Sequence, residues 1–188
     1  CPLQLEHDAN SAAWGEYRFG AARGADNWVL FALGTGIGGA MMQGGEIYRG
    51  AYGTAPEFGH LTVVPDGRPC SCGKRGCLER YCSGTALVTT AQELSESGRY
   101  FSRLTDGLVA GSVTGTDVVS AARQGDELAL AAIDDFATWL GRGLSMVGDV
   151  FDPELIVIGG GVASASDLYL DKAKAEFARN LTGAGYRP

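Results

Sequence analysis

Residues 28–48 read WVLFALGTGIGGAMMQGGEIY, and this stretch decides the fold. Trp28–Leu33 is a continuous apolar run that ends in Gly34, Thr35, Gly36, Ile37, Gly38 and Gly39. Apolar residues resume at Ala40, Met41 and Met42, and the pair Gly44-Gly45 separates them from Ile47 and Tyr48. Short apolar runs punctuated by glycines predict strand, glycine turn, strand, turn, strand. A glycine turn after a strand lets backbone N–H groups approach an anion with no Cβ in the way. Gly34, Thr35, Gly36 and Gly38 are therefore candidate phosphate contacts. The alternative is a set of tight turns in a chain that holds 29 glycines. No Gly-Lys-Ser/Thr follows, so the turn is not a Walker loop.

The same pattern returns near the other end, where Leu155–Ile158 is followed by Gly159, Gly160 and Gly161. Upstream, Ala12, Ala13, Trp14 and Tyr17 recur at helical spacing, which predicts a helix over 9–19 with Asp8 at its N-terminal edge. Downstream, Leu61–Val64 reads as a further short strand, ended by Pro65, Asp66 and Gly67. Helices follow over 84–94 and 116–123, separated by a polar, glycine-bearing stretch read as a mobile connector. Asp126–Val150 is apolar on nearly every side and predicts a long buried helix, broken by Asp152 and Pro153. A last helix starts at Ser164 or Ser166 and ends near Asn180. No internal repeat or low-complexity tract is present, and the order is that of one packed α/β lobe.

The 188 residues and 45% hydrophobic content suit one domain with a substantial core. Fifteen basic against 22 acidic residues give a net charge of -7 with no basic cluster, which argues against binding of nucleic acid. No apolar run approaches the roughly 20 residues that span a bilayer, and CPLQLEHDAN lacks the regions of a signal peptide. The expectation is a soluble, cytoplasmic protein. Cys1 at the start and AGYRP at the end read as the cut edges of a longer chain.

Three of the five cysteines crowd into one loop, Cys70, Cys72 and Cys77, with His60 ten residues before the first. Three thiolates and one imidazole complete a tetrahedral zinc site with no open position, so its expected role is structural. Reduced core cysteines are the alternative, but Lys74, Arg75 and the small residues beside them make a poor core segment. Cys1 and Cys82 are left over. Asp8 lies between His7 and Asn10, Glu57 three residues before His60, and Glu79 two after Cys77. These carboxylates could accept sugar hydroxyls, or remove a hydroxyl proton during phosphoryl transfer. Taken singly, Asp8 also suits a helix cap, and Glu57 and Glu79 a solvated surface.

The stretch Gly36–Ala40 through Gly50 to Pro56, Glu57, Phe58, Gly59 and His60, followed by Cys70, Cys72, Gly73, Gly76, Cys77, Leu78 and Glu79, resembles the signature of the ROK family. That family contains sugar kinases and sugar-responsive repressors. The resemblance implies an actin-like (ribonuclease H-like) ATPase lobe with a mixed sheet, flanking helices and a zinc-containing loop. Residues 1–188 would be the larger, C-terminal lobe, without the small lobe that carries the first phosphate loop, and inactive alone. It implies Asp8 as the base that deprotonates the sugar 6-hydroxyl, and Glu57, His60 and Glu79 as hydroxyl ligands. Gly34–Gly39 and Gly159–Gly161 would take ATP, with magnesium entering on the nucleotide. His60 would serve both sugar and zinc. The family's usual Asn before the base is His7 here, which implies an altered sugar contact. Trp14–Gly24 is most similar to the family's glucokinases, so glucose is the favoured substrate. A repressor, a kinase for N-acetylmannosamine, N-acetylglucosamine or fructose, and polyphosphate as donor stay open, as does a purely structural zinc module. A homodimer or higher homo-oligomer is the expected assembly.

Overall fold

The run Trp28–Leu33 forms strand β1, whose alternating side chains build two cores. In a computed structural model, residues 6–183 and 185 are described. The chain runs α1 (Asp8–Phe19), β1 (Trp28–Leu33), β2 (Ile37–Gln43), β3 (Glu46–Ile47), α2 (Gly84–Glu96), α3 (Thr105–Val109), α4 (Gly115–Arg123), α5 (Glu127–Phe151), β4 (Leu155–Gly159) and α6 (Ser166–Asn180). The sheet has the order β3-β2-β1-β4. It is mixed, since β1 is antiparallel to β2 and parallel to β4.

Successive side chains of a strand point to opposite faces. Trp28 and Leu30 therefore join Ala40, Met42 and Val157 against Ala9 and Ala13 of α1. Val29, Phe31 and Leu33 face the other way with Ile37 and Met41, into the larger core built on α2, α4, α5 and α6. The alanines of α1 keep that helix close to the sheet. Helix α5 is buried over most of its circumference, from Leu128 to Gly148, as its all-round apolar pattern predicts. Three helices open on side-chain caps: Ser83 accepts from the Ala86 N–H, Asp126 from the Ala129 N–H, and Thr114 forms a reciprocal pair with Asp117.

Three expectations need correction. Leu61–Val64 does not join the sheet. Its backbone bonds are taken by the cysteine loop, with the Val63 N–H on the Gly76 carbonyl and the Leu78 N–H on the Leu61 carbonyl, leaving one isolated bridge between Thr62 and Cys77. The polar connector after α2 is not without secondary structure: it contains α3, with Leu104 and Leu108 buried and Ser102 bonded to Asp126 at 2.9 Å. The third strand is Glu46–Ile47, one residue earlier than expected. The last helix begins at Ser166, after a short 3₁₀ turn over Gly161–Ala165. Cys1 lies outside the described residues. Among the described residues no helix is long and apolar enough to cross a membrane.

Candidate active site

The turn from β1 into β2 gathers the candidate residues because its glycines admit close neighbours. A Cβ built on Gly38 would lie 3.5 Å from the Ala9 Cβ, directly after Asp8. A Cβ on Gly59, directly before His60, would lie 2.6 Å from the Ile37 carbonyl oxygen, an approach only glycine allows. A Cβ on Gly36 would lie 2.7 Å from Glu79 Oε2. Gly36 at the end of the turn, and Ile37 and Gly38 at the start of β2, thus meet Glu79, the neighbour of His60 and the neighbour of Asp8. Phe58 fixes the approach further, stacking on Phe31 at a centroid distance of 5.0 Å.

The ligand atoms of His60, Cys70, Cys72 and Cys77 all lie within 4.8 Å of one another. His60 Nδ1 is 3.7 Å from Cys70 Sγ, and Cys72 Sγ is 3.6 Å from Cys77 Sγ. Zinc–sulfur bonds of about 2.3 Å in a tetrahedron separate the sulfurs by roughly 3.7 Å, so this donor set fits zinc. Burial pushes the Cys77 thiol up to about 12 and also raises Cys70, whereas a hydrogen bond from the Lys74 backbone N–H lowers Cys72. Three crowded sulfurs resist ionising together, and a bound cation reverses that preference. Lys74 Nζ donates to the His60 carbonyl at 2.6 Å, tying the loop to its fourth donor. Glu79, whose side chain is mostly buried, sets Oε1 3.2 Å from Cys70 Sγ and 3.8 Å from His60 Nδ1.

Asp8 opens α1 with its carboxylate almost wholly exposed; Oδ1 accepts from the Ala9 N–H at 2.7 Å and lies 3.4 Å from His7 Nδ1. Beneath it, Glu6 accepts from Asn10 Nδ2 at 2.9 Å, from the His7 N–H at 3.1 Å and from Arg49 Nε at 3.2 Å. Arg49, then Asn10 and the His7 N–H, hold the Glu6 carboxyl well below its usual 4.5, at about 2. A depressed folded pKa stabilises above the unfolded value and ceases to do so as pH falls toward the folded one. Wild type should therefore melt above a Glu6→Gln variant at pH 6, with the gap closing between about pH 4.5 and 2. A gap in melting temperature that stays constant across that window, followed by circular dichroism, would contradict this linkage.

The two glycine turns lie side by side. Ala32 pairs with Gly159, so the parallel strands β1 and β4 end together, and a Cβ on Gly160 (φ +85°) would fall 2.4 Å from the Leu33 carbonyl oxygen. The start of α2 closes the same corner, with the Gly84 N–H donating to the Gly34 carbonyl at 2.8 Å and the Thr85 N–H to the Thr35 carbonyl at 3.4 Å. Thr35, Gly160 and Gly161 are exposed there. Crevices at the carboxyl ends of parallel strands are the usual ligand sites of open α/β sheets. Glu57 stands apart from the metal cluster: its side chain is exposed, and its carbonyl accepts from the His60 N–H.

The profile of the ROK family matches residues 1–187. The chain belongs to the ROK family. The glucokinase of Streptomyces coelicolor is 41% identical over 191 residues, covering all of this chain and 60% of that protein. The xylose repressor of Bacillus subtilis is 31% identical over 175 residues, 93% of this chain and 42% of the repressor. A crystal structure of a ROK family glucokinase from Streptomyces griseus, in complex with glucose and AMPPNP, superposes with a TM-score of 0.87 at 42% identity, covering this whole chain and 61% of that one. This ROK chain thus spans about 60% of the length of the Streptomyces proteins it matches.

Two supports of this ROK site escaped the sequence reading. Arg68 donates to the Arg80 carbonyl (2.7 Å), Thr90 Oγ1 (3.0 Å) and Glu93, and lies over the Tyr81 ring, pinning the base of the cysteine loop to α2. Glu6 with Arg49 pins the start of α1 to the segment after β3. Neither pair has a local spacing signal, since the partners are 25 and 43 residues apart.

Proposed function

We propose that the full-length protein transfers the γ-phosphoryl group of ATP to the 6-hydroxyl of a hexose, with glucose favoured. The observation that carries this reading is Asp8: an almost wholly exposed carboxylate at the start of α1, directly before Ala9, which faces Gly38, two residues along the chain from the Gly36 that meets Glu79. The Streptomyces relatives, named glucokinases, support the choice of sugar. In this reading residues 1–188 are the larger, C-terminal lobe of a two-lobed, actin-like kinase, and the cleft is completed by a second lobe. The enzyme acts in the cytoplasm as a homodimer or higher homo-oligomer.

Asp8 takes the 6-hydroxyl proton as that oxygen attacks the γ-phosphorus in line; the new oxygen–phosphorus bond forms as the bond to ADP breaks. Glu57, Glu79 and His60 hold the remaining hydroxyls. His60 uses Nε2 for this, because Nδ1 faces the thiols. Cys70, Cys72 and Cys77 with His60 Nδ1 would hold zinc, which when bound supplies charge and rigidity and fixes the imidazole tautomer. Gly34, Thr35, Gly38 and Gly159–Gly161 line the nucleotide corner, and magnesium, when present, neutralises charge on the phosphates. His7, 3.4 Å from Asp8 Oδ1, contacts the sugar in place of the Asn that the family resemblance implies.

The test is turnover by the full-length protein with ATP or polyphosphate and glucose, fructose, N-acetylglucosamine or N-acetylmannosamine. The highest kcat/KM is expected for glucose with ATP. Sugar binding without any turnover would instead support a sugar-sensing repressor, the reading favoured by the match to the xylose repressor.

A further inference from the structure

We infer that Gly36 is a positioning residue for the sugar site, because its missing side chain leaves the space that the Glu79 carboxylate occupies. The inference rests on the hexose kinase reading above and moves Gly36 from the nucleotide side of the turn to the sugar side. A Cβ on Gly36 would sit 2.7 Å from Glu79 Oε2 and 3.7 Å from Cδ. Backbone strain does not demand glycine here, since Gly36 is not among the positive-φ glycines. Steric room does. The carboxylate has neighbours at both oxygens, with Oε1 3.2 Å from Cys70 Sγ and Oε2 in the space a Gly36 Cβ would enter.

A carboxylate oxygen 2.7 Å from where a Gly36 Cβ would stand also disfavours a phosphate on that face, because like charges repel most strongly where water is partly excluded. The turn therefore has two uses. Gly34 carries the start of α2 through its carbonyl, and Gly36 seats a sugar ligand. A methyl group on Gly36 drives Oε2 outward by roughly 0.5–1 Å to reach ordinary contact distance. Displacements of about 1 Å in a positioned group cost on the order of 100-fold in related settings.

The experiment uses the full-length protein carrying Gly36→Ala, Glu79→Asp or both, with hexose affinity by calorimetry, KM for hexose and for ATP, zinc content and melting temperature. Gly36→Ala should raise hexose Kd and KM roughly tenfold or more and leave the ATP KM within about twofold, with zinc retained. Asp is one methylene shorter and clears the methyl, so Gly36→Ala in the Glu79→Asp background should add little further loss. A raised ATP KM with unchanged hexose affinity, or the same added loss in both backgrounds, overturns the inference. If Gly36→Ala alone does not fold, recovery of the fold by Glu79→Asp supports the contact and failure to recover overturns it. Hexose binding without turnover in wild type defeats the kinase reading alone, because the calorimetric comparison still reads the Gly36–Glu79 coupling. A wild type that binds no hexose defeats both.

Discussion

Asp8→Asn in the full-length protein should lower hexose turnover roughly 100- to 10,000-fold while leaving hexose affinity within about twofold. Asn has the shape of Asp and still accepts a hydrogen bond at a helix start, so the bond from the Ala9 N–H survives and α1 keeps its entry. The lost charge at the helix N-terminus costs about 0.3–1 kcal/mol, which shifts melting by only a few degrees. What Asn lacks is the capacity to take a proton. The side chain is almost wholly exposed, so a purely structural role for Asp8 predicts almost no change in rate. Retained turnover, measured with a coupled assay at saturating sugar and nucleotide, would overturn its assignment as the base.

The second large effect belongs to Cys72. Cys72→Ser should drop bound zinc from about one per chain to well below that and cost several kcal/mol of stability, since a structural zinc contributes on the order of 10 kcal/mol. Exposure makes this variant decisive. Cys72 is exposed, and an exposed substitution without a metal ordinarily stays within about 0.5 kcal/mol. Cys77 is fully buried, so Cys77→Ser would destabilise through packing whether or not a metal is bound. Elemental analysis and denaturant melts on one sample separate the cases. Full metal content with unchanged melting would show that Cys72 is not a ligand.

How much of this was legible in the sequence differs by element, for physical reasons. Trp28–Leu33, its glycine turn and the two strands after it were readable because alternation and glycine punctuation act locally. The long helix α5 was readable from its uniform apolarity. Leu61–Val64 was misread because its apolar residues serve a loop rather than a sheet: the strand-like pattern is satisfied by Gly76 and Leu78 of the cysteine segment. Helix α3 gives little sequence signal because it is five residues long and buries Leu108 alone of its own residues, next to Leu104 at its cap.

The candidate site divides in the same way. Cys70, Cys72 and Cys77 announce themselves by spacing, and the structure brings their sulfurs together with His60. The contact of Glu79 with Gly36 crosses 43 residues of sequence and leaves no pattern that a single chain can reveal. Arg68 and Glu6 are likewise ordinary surface charges until the fold gives them partners. Close approaches of glycine to side chains, rather than motifs, are what turn separate sequence signals into one site.

A crystal structure of the full-length protein with glucose and a non-hydrolysable ATP analogue tests the central claim most directly. The expected result is the 6-hydroxyl on the Asp8 carboxylate, other hydroxyls on Glu57, Glu79 and His60 Nε2, and zinc on His60 Nδ1 with the three thiolates. Glucose bound elsewhere, or bound with Asp8 turned to solvent and Cys70, Cys72 and Cys77 without metal, would contradict it.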